Sequence, residues 1–179
     1  MTTILNTRLP LIQGALAQIS TPTLVAAVSN AGGLGVLTTT NMTAADLAEA
    51  ITAIKAQTTA PFAVNLMLQQ SNIATLLEYL FTHPVPVVTT SAGSPKRFAG
   101  QLQAVGTKVV AVIPNVKVAQ KMAALGVDAL VAEGMESGGH IGQATTMTLV
   151  QAVTAAVDLP VFAAGGIADA RGVAAAEAL

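Results

Sequence analysis

The chain has 179 residues, a formal net charge of -1, 53% hydrophobic and 9% charged residues, and no cysteine. The near-neutral charge and the 3% aromatic content argue against a nucleic-acid partner, and the lack of cysteine excludes disulfides and thiolate metal sites. The mean hydropathy is +0.65, yet no apolar run reaches the ~18 residues of a membrane-spanning helix. Since no signal-peptide pattern is present either, we expect a cytoplasmic protein with no membrane span.

Seven short apolar runs predict seven strands. Most of them do not alternate between apolar and polar residues, which is typical of parallel strands buried on both faces. The runs begin at Pro10, Leu34, Phe62, Val85, Lys108, Ala129 and Pro160.

Amphipathic stretches between these runs predict helices, and each begins with a capping signal. Thr21 precedes Pro22, and Thr43 is followed three residues later by Asp46, a pattern close to a capping box. Further N-caps are expected at Ser71, Asn115 and Asp169, and Ser94-Pro95 is expected to start a helix.

The alternation of strands and helices predicts an α/β fold with a parallel sheet. An open doubly wound sheet and a (β/α)8 barrel both satisfy it, but polar or glycine-rich segments after nearly every strand favour the barrel. We expect residues 1–179 to form one domain with about seven β/α units, in which the eighth strand is missing.

Asn65 interrupts an otherwise apolar strand. A buried amide must find hydrogen-bond partners, so Asn65 either bonds to neighbouring strands or contacts the edge of a heterocyclic ligand. Gln13, Gly14 and Ala15 follow the first predicted strand, and Thr90 lies at the end of the fourth. The carboxyl ends of the strands are where ligands bind in both candidate architectures.

The segment AAGGIAD follows the last predicted strand. Gly165 and Gly166 before a helix capped by Asp169 leave backbone N–H groups free, which favours phosphate binding over a plain turn.

The segment EGMESGGHIG, residues 133–142, predicts a loop after the sixth strand. Gly138 and Gly139 allow the backbone to approach a planar ligand closely, and Glu133 at the strand end is placed to face it. His140 is either a structural loop histidine or an acid–base or substrate-orienting group. No set of metal ligands accompanies it, so no metal site is predicted.

In their order along the chain, LIQGALA, NAGGLG, FAVNLML, VVTTSAG, AEGMESGGHIG, TTMTLV and PVFAAGGIAD resemble flavin-dependent barrel enzymes: nitronate monooxygenases (2-nitropropane dioxygenases) and FMN-containing enoyl-acyl-carrier-protein reductases. Glu133, Ile141 and TTMTLV are closer to the reductase form.

The resemblance implies a (β/α)8 barrel that holds FMN, with NADH or NADPH as reductant and an enoyl-acyl-carrier-protein as substrate in fatty-acid synthesis. It implies catalysis by His140 and cofactor contacts from Gln13, Gly14, Ala15, Asn65, Thr90, Glu133, Gly138, Gly139, Gly165 and Gly166. Nitronate oxidation with O2 is the alternative activity, and a non-catalytic FMN-binding fragment is the alternative class. The family pattern continues past GVAAAEAL with an eighth strand, so we expect a truncated barrel whose unpaired edges favour a homo-oligomer.

Overall fold

The structure is a computed structural model that describes residues 2–139 and 142–179. Six strands form in the described part: β1 (Gly35–Thr38), β2 (Phe62–Met67), β3 (Val87–Ser91), β4 (Lys108–Ile113), β5 (Ala129–Glu133) and β6 (Val161–Ala164). Their order along the sheet follows their order in the chain, β1-β2-β3-β4-β5-β6, as the regular strand–helix alternation predicts.

The helices precede, separate and follow these strands. They are α1 (Thr2–Leu5), α2 (Pro22–Asn30), α3 (Ala44–Lys55), α4 (Ile73–Thr82), α5 (Ala99–Ala104), α6 (Val116–Leu125), α7 (Thr146–Thr154) and α8 (Ala170–Glu177). No helix among the described residues is both long and apolar enough to cross a membrane.

The chain divides into two compact units, Met1–Val109 and Val110–Leu179, with the division inside β4. In the first unit β1, β2 and β3 pair in parallel; in the second, β4, β5 and β6 do so. The single domain expected over residues 1–179 stays a prediction.

The first of the seven predicted strands forms only one residue pair. Ile12 makes an isolated parallel bridge to Leu34, supported by the bonds from Gln13 N to Leu34 O and from Leu34 N to Leu11 O. Pro10 lacks an N–H donor on one side, and the chain turns away after Gly14 on the other, so the pairing cannot lengthen into a strand.

Most of the predicted helix caps are confirmed. The Thr21 hydroxyl accepts a bond from Leu24 N, Thr43 and Asp46 form a complete capping box, and Asn115 caps α6. Ser71 as the cap of α4 is wrong by one residue, and the helix start at Ser94-Pro95 is wrong because α5 begins at Ala99.

Asn72 holds the N-cap position of α4. Its side-chain amide donates to Met42 O at 2.7 Å instead of capping the helix. Asn72 therefore ties the loop after β2 to the loop after β1.

Two glycines show which face of the strands packs against the helices in each unit. A Cβ on Gly35 in β1 would collide with the Val25 backbone of α2, and a Cβ on Gly134 after β5 would collide with Thr146 of α7. Because side chains alternate along a strand, positions two residues away share the helix-covered face, and the intervening positions point to the opposite face. That opposite face carries Thr38, Asn65 and Thr89 in the first unit and Glu133 in the second.

Candidate functional site

Asn65 lies on the face of β2 that the helices do not cover. Its side chain is 7% exposed. The Nδ2 atom donates to Thr89 Oγ1 at 2.9 Å, and the Ser91 hydroxyl lies 3.5 Å from Oδ1. These bonds use one of the two amide N–H groups and leave acceptor capacity on Oδ1. Asn65 is thus fixed by the neighbouring strand and keeps the capacity to bind a ligand.

Hydrogen bonds brace the loops that follow β1 and β2. The Thr39 hydroxyl donates to Asn65 O at 2.8 Å, and the Gln70 amide donates to Thr39 Oγ1 at 3.1 Å. Thr38 and Thr40 share a hydroxyl–hydroxyl bond of 2.9 Å. Asn65 therefore stands on a backbone that both loops hold in place.

Gln13 organises the loop that leads to α2. Its Oε1 accepts from Val36 N at 3.3 Å, while Nε2 donates to Ser20 Oγ at 2.9 Å and to Gly14 O. Ser20 is buried, and its hydroxyl also accepts from Leu16 N. Gly14 and the half-buried Ala15 lie in this loop, and no heavy atom lies within 4 Å of a Cβ built on Gly14.

Thr90 lies on a different face of the sheet from the other polar strand residues of the first unit. It pairs with Leu66, so it shares the helix-covered face and lies opposite Asn65 and Thr89. Its side chain is 1% exposed, and its hydroxyl has no hydrogen-bond partner among the described residues. The geometry favours Thr89 over Thr90 as a ligand contact, although a cofactor role for Thr90 stays a prediction.

In the second unit, Glu133 ends β5 on the face that the helices leave open. It is partly buried, and this burial raises the pKa of its carboxyl group, while a hydrogen bond with the Ser137 side chain offsets part of the change. A carboxyl group with this environment keeps its proton to higher pH than an exposed one.

Glu136 has a structural partner that the sequence did not indicate. Its Oε2 accepts bonds from the backbone N and the hydroxyl of Thr146, both at 2.9 Å. These two bonds lower the pKa of Glu136. The carboxylate thereby caps α7 from the preceding loop.

Gly165 and Gly166 form the turn after β6, with φ angles of 115° and 71°. Only glycine adopts such angles freely, so the local conformation explains both residues. The backbone N–H groups of residues 165–168 donate no hydrogen bond to any described residue, and Gly166 is exposed. Free, exposed donors of this kind are suited to an anion.

Asp169 occupies the N-terminus of α8. Its Oδ1 accepts from the backbone N of Arg171 and of Gly172, and its Oδ2 forms an ion pair with the Arg171 guanidinium at 2.6 Å. These contacts hold the pKa of Asp169 below its usual value, with the Arg171 bond as the largest cause. The carboxylate thus uses the second and third N–H groups of α8, whereas the N–H groups of residues 165–170 donate no hydrogen bond to any described residue.

The loop after β5 is irregular in its described parts, as predicted. Gly138 and Gly139 are exposed, and Gly139 has a φ of 88°. Apart from chain neighbours, no described residue lies within 4 Å of a Cβ built on either glycine. His140 lies outside the described residues, so its predicted orientation towards a cavity stays a prediction. No group of three or more acidic or histidine side chains in the described part could hold a metal ion.

Ser20, Thr89 and Thr146 are among the residues of these networks that the sequence did not indicate. Each is a small hydroxyl residue without a motif of its own. Thr89 carried a usable signal, since it lies in the polar run TTSAG at a strand end. The contacts of Thr146 depend on a loop ten residues earlier, and no local pattern encodes them.

Comparisons with known proteins cover nearly the whole chain. The family model described as "Nitronate monooxygenase" matches residues 1–81 and 72–179. A nitronate monooxygenase of Pseudomonas aeruginosa is 33% identical over 98% of this chain and 64% of its own. A (3aS,4S,5R,7aS)-5-hydroxy-7a-methyl-1-oxo-octahydro-1H-indene-4-carboxyl-CoA dehydrogenase of Rhodococcus jostii is 38% identical over 98% of this chain and 50% of its own. The chain thus spans about half to two thirds of these relatives' length.

Solved structures also match nearly the whole chain. FabK from Thermotoga maritima has a TM-score of 0.97 and 45% identity over 99% of this chain and 57% of that one. A nitroalkane oxidase from Streptomyces ansochromogenes has a TM-score of 0.93 and 29% identity over 99% and 63%. With the parallel strands in chain order, these matches confirm the predicted fold class, an incomplete barrel of the (β/α)8 type.

Proposed function

Because the chain belongs to the nitronate monooxygenase family, we propose that it acts in a flavin-dependent oxidoreductase that reduces the double bond of an enoyl thioester. The observation that carries this proposal is the 45% identity to FabK over 99% of the chain, against 29% to the nitroalkane oxidase. FabK represents the enoyl-acyl-carrier-protein reductase branch. The 38% identity to a carboxyl-CoA dehydrogenase also favours a thioester substrate.

Residues of the first unit are proposed to contact the flavin ring. Asn65 keeps a free amide N–H and acceptor capacity, and Gln13 holds a loop in which Gly14 leaves room for close approach. Amide groups suit a ring system that presents both donors and acceptors at its edge. These features fit the proposed cofactor.

Residues of the second unit are proposed to hold the cofactor's phosphate. The unbonded N–H groups of residues 165–168 supply donors, and the positive φ angles of Gly165 and Gly166 let the chain present them. Gly138 and Gly139 are proposed to lie against the flavin, and Glu133 to contact it. A turn that binds one phosphate group suits FMN, which is the flavin that we propose.

The flavin, when bound, supplies the reversible two-electron chemistry that amino-acid side chains lack. The protein's share is to bind the thioester, exclude water and handle a proton. His140 is proposed to orient the thioester carbonyl or to deliver the proton to the α-carbon, because imidazole titrates near neutral pH. NADH or NADPH as reductant, an acyl-carrier-protein-bound substrate, a homo-oligomeric assembly and a cytoplasmic location belong to the same proposal.

Nitronate oxidation with O2 is the second candidate activity. It is favoured by the description of the family model and by the 33% identity to the Pseudomonas aeruginosa enzyme. Both activities need a flavin, so flavin binding tests the class and the substrate tests the branch.

The first experiment is flavin binding by the purified chain, measured by the visible absorbance of bound oxidised flavin after incubation with FMN. We expect saturable binding, followed by NADH- or NADPH-dependent reduction of an enoyl thioester that is faster than oxidation of an alkyl nitronate. A protein that takes up no flavin contradicts the proposed class, and faster nitronate oxidation reverses the order of the two candidates.

Substitution of histidine tests the catalytic residue. His140→Ala is expected to lower enoyl reduction about 100-fold or more, the usual size of a lost acid–base or oxyanion partner, and to leave flavin content unchanged. The matched control is His83→Ala, since His83 is the other histidine of the chain and stacks on Tyr79 at the end of α4. Parent-like turnover by His140→Ala would remove the catalytic role, and loss of flavin would make it a cofactor contact.

A further inference from the structure

Thr146, the first residue of α7, joins three segments of the second unit. Its hydroxyl lies 2.9 Å from Glu136 Oε2 in the loop after β5 and 3.3 Å from Ala164 O at the end of β6. Its backbone N–H donates to the same Glu136 oxygen at 2.9 Å. Thr146 is 7% exposed and Glu136 is exposed, so these contacts are only partly buried.

The turn after β6 is packed directly against this junction. A Cβ placed on Gly165 would lie 2.5 Å from Thr146 Oγ1, 3.2 Å from Gly134 O and 3.2 Å from Ser137 N. A Cβ on Gly166 would lie 3.3 Å from Glu136 Cβ. The direction in which the turn presents its N–H groups therefore depends on where Thr146 and Glu136 stand.

Carboxylates already occupy the two neighbouring helix N-termini. Glu136 already accepts the first N–H of α7, and Asp169 accepts two N–H groups at the start of α8. Carboxylates at these positions satisfy the helix dipoles themselves. Among the described residues, the N–H groups of the turn at residues 165–168 and those of Asp169 and Ala170 donate no hydrogen bond, and the shape of the turn decides whether these donors converge on one anion.

We propose that Thr146, held by Glu136, is a positioning residue that fixes the turn at residues 165–168 in the shape that binds the phosphate of the flavin cofactor. This inference rests on the proposed function. Thr146 acts through the turn, because its own hydroxyl is engaged by Glu136 and Ala164.

The test compares two flavins that differ only in the phosphate. Dissociation constants for FMN and riboflavin are measured by fluorescence titration of the purified chain. Thr146→Val removes the hydroxyl while nearly keeping the shape, and is expected to weaken FMN binding about tenfold, the size of one lost charge-assisted hydrogen bond, with riboflavin binding unchanged. Thr146→Ser, which restores the hydroxyl, is expected to bind FMN like the parent.

Thr145→Val is the matched control. It removes a hydroxyl one residue away that, among the described residues, has a hydrogen bond to the exposed Thr148 and none to the turn. In flavin-free protein, the amide ¹H and ¹⁵N chemical shifts of Gly165 and Gly166 should move in Thr146→Val and stay in place in Thr145→Val. If those flavin-free shifts stay in place in Thr146→Val, the shape of the turn does not depend on the Thr146 hydroxyl and the positioning role is contradicted.

The outcomes separate the two proposals. If the parent binds neither flavin, the proposed function fails and this inference fails with it. If the parent binds FMN and Thr146→Val binds it equally well, or loses FMN and riboflavin to the same extent, only the positioning role is overturned.

Discussion

Thr89 and Thr90 are neighbours in β3, yet their hydroxyls meet opposite environments. Thr89 Oγ1 accepts the Asn65 amide at 2.9 Å, whereas Thr90, 1% exposed, has no hydrogen-bond partner among the described residues. A buried hydroxyl without a hydrogen-bond partner destabilises the fold, because its lost hydration is not replaced. A buried amide N–H that loses its acceptor destabilises the fold for the same reason. The two threonines therefore form a matched pair for mutation.

Replacement of Thr89 by valine is expected to lower the free energy of unfolding by roughly 1–3 kcal/mol, because it leaves the Asn65 amide without its acceptor. Replacement of Thr90 by valine is expected to be neutral or to raise it by about 1 kcal/mol, because it removes an unsatisfied hydroxyl. Urea denaturation of both variants measures the difference. Equal losses in the two variants would show that the Asn65 bond contributes nothing specific.

The sequence could indicate Asn65 because an amide in an apolar strand stands out by composition alone. It could not indicate the partner, because the register that sets Asn65 opposite Thr89 is a property of the sheet. Thr146 and Glu136 show the same limit, since their contact spans ten residues of irregular chain.

At the scale of elements, the backbone of α2 packs directly against the backbone of β1 at Gly35, where no side chain separates them. A Cβ on Gly35 would overlap Val25 O and come within 2.8 Å of the Val25 Cα atom. Backbone cannot move aside as a side-chain end can, so the glycine sets the distance between helix and strand. Gly100 in α5 is the opposite case, because a methyl group at this position would meet nothing within 4 Å.

Gly35→Ala is expected to lower the free energy of unfolding by roughly 1–3 kcal/mol or more, because α2 must shift to accept the methyl group. Gly100→Ala is expected to raise it by roughly 0.5–1 kcal/mol, since alanine loses less backbone entropy in a helix. Thermal and urea unfolding measure both. A Gly35→Ala protein as stable as the parent would contradict the close approach of α2.

Helix starts were the most predictable features of the elements. Thr21, Thr43, Asn115 and Asp169 cap helices because capping depends on residues two or three positions apart. The first strand was less predictable, because the number of paired residues depends on the neighbouring strand and not on the apolar run itself. The alternation of helices and strands could therefore be predicted from the local sequence. The length of each strand could not, because it depends on pairing within the sheet.

For the whole molecule, the dependence of stability on pH is the sum over carboxyl groups whose pKa changes on folding. Hydrogen bonds lower the pKa of Asp46, Glu136 and Asp169, while burial raises that of Glu133. The first three stabilise the fold when ionised, and that contribution is lost as the pH falls through their lowered pKa values. Ionised Glu133 destabilises the fold, because burial favours its protonated form.

The sign for Glu133 follows from proton counting. Between its ordinary pKa of 4.5 and its raised value in the fold, the folded chain binds more protons than the unfolded chain, so stability falls as the pH rises through this interval. Glu133→Gln removes that penalty. We expect the variant to be more stable than the parent at pH 7, with the difference shrinking as the pH is lowered to 4.5 and below.

Urea denaturation between pH 4 and pH 8 measures this difference. Glu49→Gln on the exposed surface of α3 is the control, because it makes the same change in net charge without a buried carboxyl group. A Glu133→Gln protein that gains no more stability at pH 7 than Glu49→Gln would show that Glu133 is fully solvated in the fold.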